Sequence, residues 1–201
     1  MISPVFIENC SLPPVSVKEI LRYSGVAKPS NETDKLLREC LAECKDIFSE
    51  RVAYRVFSIT RENKMLCIGN MRIESKDLEK NLRQCDSVIL MVASAGLKID
   101  RLIEKYKSLS PAKALMLHSI GTERVEALCD TFCKKIQHEQ GFAFTPRFSP
   151  GYGDLPLDYQ KEILALLNTN QTIGVYLNES LLLSPSKSVT AFVGIKKSES
   201  K

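Results

Sequence analysis

Residues 52–73, Val52-Ala-Tyr-Arg-Val-Phe-Ser-Ile-Thr-Arg-Glu-Asn-Lys-Met-Leu-Cys-Ile-Gly-Asn-Met-Arg-Ile73, decide the fold class. Val52 to Ile59 is dense in β-branched and aromatic side chains, which fit a pleated, half-buried surface. The polar Arg61-Glu-Asn-Lys64 turn reverses the chain, and Met65 to Ile73 supplies one or two further strand segments. Strands joined by so short a turn are antiparallel neighbours, because a parallel pair needs a long crossover. The stretch is a small antiparallel sheet and not a βαβ unit.

Helical patterns flank it. Ser16 to Tyr23 is a short amphipathic helix ending at Gly25, and Asn31 to Phe48 keeps apolar residues at helical spacing behind Ser30 or Asn31 as N-cap. Ser75 opens a short helix to Gln84, Ser87 to Val92 reads as a buried strand, and Lys98 to Leu109 returns to helix. Ser110 with Pro111 at the first helical position starts a helix that runs over Ala112 to His138, with Gly121 as a kink or a close-packing point. A helix at Asp158 to Leu167, a short strand at Thr172 to Tyr176 and a terminal strand at Val189 to Ile195 complete the pattern. Strands and helices mix without βαβ alternation, so the class is α+β, with long helices packed on a largely antiparallel twisted sheet. One domain over residues 1–201 is expected, ending in a solvated tail from Lys196 to Lys201.

Composition excludes several functions. The 28 basic and 24 acidic residues are interleaved, which is not the footprint of a nucleic-acid binder. The N-terminus lacks a basic segment followed by an apolar one, and the longest apolar run, Ser87 to Leu97, is too short to span a bilayer; a cytoplasmic protein with no membrane partner is expected. Seven cysteines, an odd number, read as reduced thiols. Cys40/Cys44 and Cys129/Cys133 repeat a C-x3-C spacing on helix faces; two such pairs can assemble a metal site, but small core residues are the commoner use, and no metal is expected. There is no G-x-G-x-x-G after a strand, no Walker A, no HExxH and no G-x-S-x-G. The two histidines, His118 and His138, lie in the long helical stretch, where a helix-face histidine without special role is commoner than a base or ligand.

The remaining chemistry concentrates in Pro146-Arg-Phe-Ser-Pro-Gly-Tyr-Gly-Asp-Leu-Pro-Leu157. Proline and glycine bend this segment and expose backbone N–H and C=O groups around a single cation. A guanidinium matches a carboxylate bidentately, so Arg147 suits an amino-acid-like ligand end. The Ser149-Pro-Gly-Tyr152 backbone can meet a purine edge while Tyr152 offers a stacking face. The competing structural uses are Arg147 as a helix C-terminal cap, Tyr152 in the core and Glu126 on the surface.

Arg147-Phe-Ser-Pro-Gly-Tyr152 resembles the R-x-x-P-G-Y signature of the activation domain of cobalamin-dependent methionine synthase. Upstream, Gly121-Thr-Glu-Arg-Val-Glu-Ala127 is similar to that family's G-x-x-x-V-E-A helix segment; downstream, Leu183-Ser-Pro-Ser-Lys-Ser-Val-Thr190 is similar to its M-x-P-x-x-S-V-S segment. The resemblance runs from about Ser87 to Ile195, and residues 1–85 match only in character. His118 stands where small relatives carry an acid, and the chain stops sooner after Ile195 than the family domain does in full-length synthases.

The resemblance implies an α+β domain that binds S-adenosylmethionine. That domain presents the methyl group to cobalamin once the cofactor has oxidised to cob(II)alamin, with an electron from a flavodoxin-like reductase. By resemblance, Arg147 holds the methionine carboxylate, the backbone around Ser149, Gly151 and Tyr152 meets the adenosyl part, and Glu126 faces the ammonium or sulfonium side. No D-x-H-x-x-G corrinoid motif occurs, so cobalamin is expected on a separate methionine synthase chain, with this protein as a free-standing accessory component. A non-catalytic module that senses S-adenosylmethionine, or braces a synthase, is the alternative.

Overall fold

The computed structural model describes residues 4–196. The hairpin ladder forms as expected: β2 (Arg51–Glu62), β3 (Met65–Ile68) and β4 (Met71–Ile73) are successive antiparallel neighbours. The first turn is tighter than the sequence implies. Glu62 pairs with Met65, leaving only Asn63 and Lys64 at φ 49° and 67°, a doubly left-handed pair that preserves the strand twist.

β5 (Cys85–Ser94) is the central strand, with β2 on one side and β8 (Ser188–Lys196) on the other, both antiparallel. A short strand the sequence did not signal, β1 (Phe6–Glu8), adds to β2 at Val52–Tyr54. The apolar run of β5 has a simple cause, since alternate side chains enter different cores. Val88, Leu90 and Val92 pack with α3 (Lys76–Leu82) and α6 (Tyr159–Leu167) through Leu78, Leu82, Ile163 and Leu167. Ile89, Met91 and Ala93 pack under α5 (Pro111–Gln140) through Val125, Leu128, Cys129 and Phe132. A third cluster joins α1 (Val17–Tyr23), α2 (Asn31–Glu43) and α4 (Lys98–Tyr106) to the first half of α5 through Ile20, Leu37, Cys40, Ile99 and Ile120. This is the α+β architecture read from the pattern.

Several boundaries differ. α2 ends at Glu43, not Phe48, because Asp46 turns at φ 64° and brings Ile47 and Phe48 back against the core. α3 stops at Leu82 and α4 at Tyr106, each a few residues before the expected end. Ser110 precedes Pro111 at the helix start, but its hydroxyl makes no cap bond. α5 continues unbroken through Gly121, where an added Cβ would lie 2.9 Å from Lys187 Cγ and 3.1 Å from Ile99 Cγ1, so close packing is the reason for glycine.

The strand expected at Thr172 to Tyr176 does not form. Asn168 at φ 48° starts a one-turn helix, α7 (Thr169–Thr172), and the Thr169 hydroxyl donates to Val175 O at 2.8 Å. The β-branched pattern there reflects burial of Ile173 and Val175 in a turn. Only β6 (Tyr176–Leu177) is extended, pairing with β7 (Leu183–Ser184). Among the described residues no helix is long and apolar enough to cross a membrane. From Lys197 onward, the tail expected to be solvated lies outside the described residues.

Candidate functional site

After α5, residues 143–148 run antiparallel along the outer edge of β8. Thr145 N–H donates to Gly194 O at 2.9 Å, and Phe148 and Phe192 exchange N–H···O bonds of 2.9 and 2.8 Å. This covers an edge that would otherwise invite foreign strands. Alternation along the segment separates its side chains: Phe148 joins the core under α6, while Arg147 reaches the other way to α5. There Glu126 and Asp130, four residues apart on one helix face, receive the guanidinium. Arg147 Nη2 donates to Glu126 Oε2 at 2.7 Å, and Nη1 donates to Asp130 Oδ1. Burial works against the Arg147 charge, but nearby negative charge, including the Asp130 and Glu126 carboxylates, prevails and holds the guanidinium protonated above its usual range.

The following turn is a clasp. Gly151 N–H donates to Leu155 O at 2.9 Å and Tyr152 N–H to Ser149 O at 3.1 Å, with Gly151 at φ 90° and Gly153 at φ 54°. Asp154 then caps α3: its carboxylate accepts from Ser75 Oγ at 2.5 Å, Lys76 N–H at 2.7 Å and Asp77 N–H at 3.2 Å. These bonds, led by the Ser75 hydroxyl, hold its carboxyl below the ordinary value. Leu155 is buried, and Tyr152 is 67% exposed, not core.

Between α5, this segment and β8 opens a cleft of about 780 Å³. Of the residues singled out in the sequence, Glu126, Arg147, Ser149 and Tyr152 line it; Gly151 does not, and shapes the turn against Leu157. Arg147 is therefore neither a helix cap nor free, and Glu126 is half-exposed on the cleft wall. Asp130, Cys133, Gln160 and Thr190 also line the cleft and were not singled out. Asp130 was findable as the residue one turn beyond Glu126; nothing in the sequence marks Gln160. Two carboxylates against one guanidinium leave one net negative charge at this end.

Cys40, Cys44 and Cys129 are buried core residues as the helical spacing implies, whereas Cys133 is half-buried at the cleft. Burial pushes the Cys40 thiol up to about 11 and Cys44 up to about 12. Among the described residues no three His, Cys, Asp or Glu side chains converge as metal ligands. His118 is held below its ordinary value by burial and then by the Lys187 charge.

No family model matches the chain. It is 30% identical over 166 residues to the methionine synthase of Mycobacterium tuberculosis (strain ATCC 25618 / H37Rv), covering 71% of this chain. It is 28% identical over 176 residues to that of Mycobacterium leprae (strain TN), covering 76% of this chain. The chain spans 14% of the length of these curated relatives. Its structure superposes on the crystal structure of the MetH reactivation domain bound to AdoHcy with a TM-score of 0.69 at 13% identity, over all of this chain and 81% of that one. The chain thus has the fold of the methionine synthase reactivation domain and is similar in sequence to a segment of the methionine synthases.

Proposed function

We propose that the chain binds S-adenosylmethionine in the cleft between α5 and residues 143–157 and supports reductive methylation of cob(II)alamin on a corrinoid-bearing methionine synthase chain, with the electron supplied by a flavodoxin-like reductase. The observation that carries this reading is the charge set Glu126, Asp130 and Arg147 on one cleft wall. S-adenosylmethionine brings a carboxylate, an ammonium and a sulfonium, one net positive charge against one net negative. Glu126 and Asp130 engage two of the five N–H groups a guanidinium carries, so Arg147 retains donors for the ligand carboxylate. The two acids face the cationic centres.

The chemistry asks little else of this chain. A sulfonium methyl is already an activated electrophile, and reduced cobalamin on the partner supplies the nucleophile. Arg147, Glu126 and Asp130 would hold the methyl donor in line, and the electron pair of the broken S–C bond would stay on the sulfur, leaving S-adenosylhomocysteine. The chain contributes alignment and water exclusion. Exposed Tyr152 and Leu157 on the rim suit a contact made only during reactivation.

Calorimetric titration with S-adenosylmethionine tests the site. Arg147→Ala is expected to weaken binding about tenfold to hundredfold, the loss of one charge-assisted pair of roughly 1.5–3 kcal/mol, and Glu126→Gln to weaken it less. Unchanged affinity in Arg147→Ala refutes the assignment. The existing engagement of Arg147 by two acids favours one second reading, a sensing or scaffold module of the same fold. The two part in a mixture with a corrinoid-bearing synthase lacking its own activation domain, oxidised cobalt, reductant and S-adenosylmethionine. Methylcobalamin spectra that return only when this chain is present support reactivation; no return, despite binding, favours the module.

A further inference from the structure

The sequence points to the backbone of Ser149 to Tyr152 as the reader of the adenosyl part, but the fold commits the N–H groups of Gly151 and Tyr152 to the turn itself. Unsatisfied main-chain groups lie instead across the cleft, on β8. Phe192 and Lys196 donate outward, away from β5, to residues 148 and 143, and Gly194 O accepts from Thr145 N–H on the same edge. The β5–β8 register has no irregularity from Ser87 to Ser94. The two-residue alternation of an antiparallel ladder therefore sets Thr190 N–H and C=O on that outer edge too. The covering segment leaves the edge after Phe148, and among the described residues neither group of Thr190 has a partner.

Gln160, on α6, stands beside it. Its Nε2 donates to Leu181 O at 3.1 Å and its Oε1 accepts from the Thr190 hydroxyl at 3.3 Å. A primary amide has two N–H groups and two lone pairs, so one of each remains. Gln160 is 5% and Thr190 3% exposed, and both line the cleft. Buried donors and acceptors left unpaired are costly, so this wall is built for a ligand that supplies both. Arg147 and its acids sit toward α5 and Gln160 toward α6, so an elongated ligand reaches both by crossing the β8 edge.

We infer that Gln160 and the outer main-chain edge of Thr190 form a base-reading subsite for adenine. Adenine sets an N6–H donor beside the ring acceptors N1 and N7, the pattern a glutamine amide or a strand-edge N–H and C=O pair matches in a plane. Hypoxanthine reverses the Watson–Crick edge, offering O6 as acceptor and N1–H as donor. The inference rests on the S-adenosylmethionine reading above and adds what selects its base.

The test is calorimetric titration of the full chain with S-adenosylhomocysteine and with S-inosylhomocysteine, repeated on Gln160→Leu. The wild-type chain is expected to bind the inosyl compound at least about tenfold more weakly, because mismatched polar groups are left buried. Gln160→Leu is expected to lose affinity for the adenosyl compound and to narrow that ratio, with thermal melting as the check that it folds. Equal wild-type affinity for the two compounds overturns the subsite while leaving the proposed function standing. Binding of neither overturns both. Should Gln160→Leu fail to fold, the wild-type pair still decides.

Discussion

Lys187→Met should make the protein more stable at neutral pH, although it deletes a hydrogen bond. Lys187 is 5% exposed, its stem lies against Gly121, and its ammonium donates to a neutral partner, Thr122 Oγ1, at 3.1 Å. Asp100 favours the charge, but its carboxylate oxygens already accept from Ser186 N–H at 2.6 Å and Ser186 Oγ at 2.7 Å. Burial therefore wins and lowers the ammonium from 10.5 to about 8. That drop corresponds to about 3 kcal/mol, and the lost bond subtracts roughly 1 kcal/mol, leaving a gain of about 2 kcal/mol. Thr122 is not orphaned, because its hydroxyl also donates to His118 O at 3.0 Å.

The sign follows from proton counting. Between about 8 and 10.5 the unfolded chain holds a proton on Lys187 that the folded chain has released, so wild-type stability gains from this group as pH rises through that window. Below it, the cost of the buried charge is fully present. The advantage of Lys187→Met is therefore expected at pH 7 and should vanish by about pH 10.5. Thermal unfolding followed by circular dichroism at a series of pH values measures it, with roughly 4–8 °C expected at pH 7 for a chain of this size. A destabilised variant, or a difference that does not change with pH, refutes the reasoning.

Two further outcomes concern the clasp. Gly153→Ala is expected to destabilise the chain by about 1–2 kcal/mol in chemical denaturation, since φ is 54° and the new Cβ would lie 2.2 Å from Asp77 Oδ2 and 3.0 Å from its Cγ. No change would mean that the loop shifts freely. Asp154→Asn should remove part of the acid dependence of stability: the lowered carboxyl stabilises above the ordinary value of 3.8 and loses that contribution as pH falls below it. A variant whose acid unfolding curve overlies the wild type would exclude the cap on α3 as its source.

Local order was legible wherever a period or a φ restriction carries it. The strands and turn of residues 52–73, the two-sided burial of Ser87 to Val92 and the long helix after Pro111 all follow from side-chain spacing and turn chemistry within a few residues. The same locality explains the failures. Ile173 and Val175 look like a strand because burial in a turn selects the same apolar residues, and α2 ends early because Asp46 adopts a left-handed conformation that no periodicity announces.

The site divides along the same line. Sequence alone determined that a Pro- and Gly-rich turn carries Arg147 and that Glu126 lies on the preceding helix. Tertiary structure decided that Asp130 joins them, that Asp154 fastens the loop to Ser75, 79 residues away, and that Gln160 meets Thr190, 30 residues away. Those partnerships are set by which backbone edge stays uncovered and which buried charge must find a counter-charge, and both depend on how distant elements pack. A turn is written in its own residues; a partner across the fold is written only in the packing.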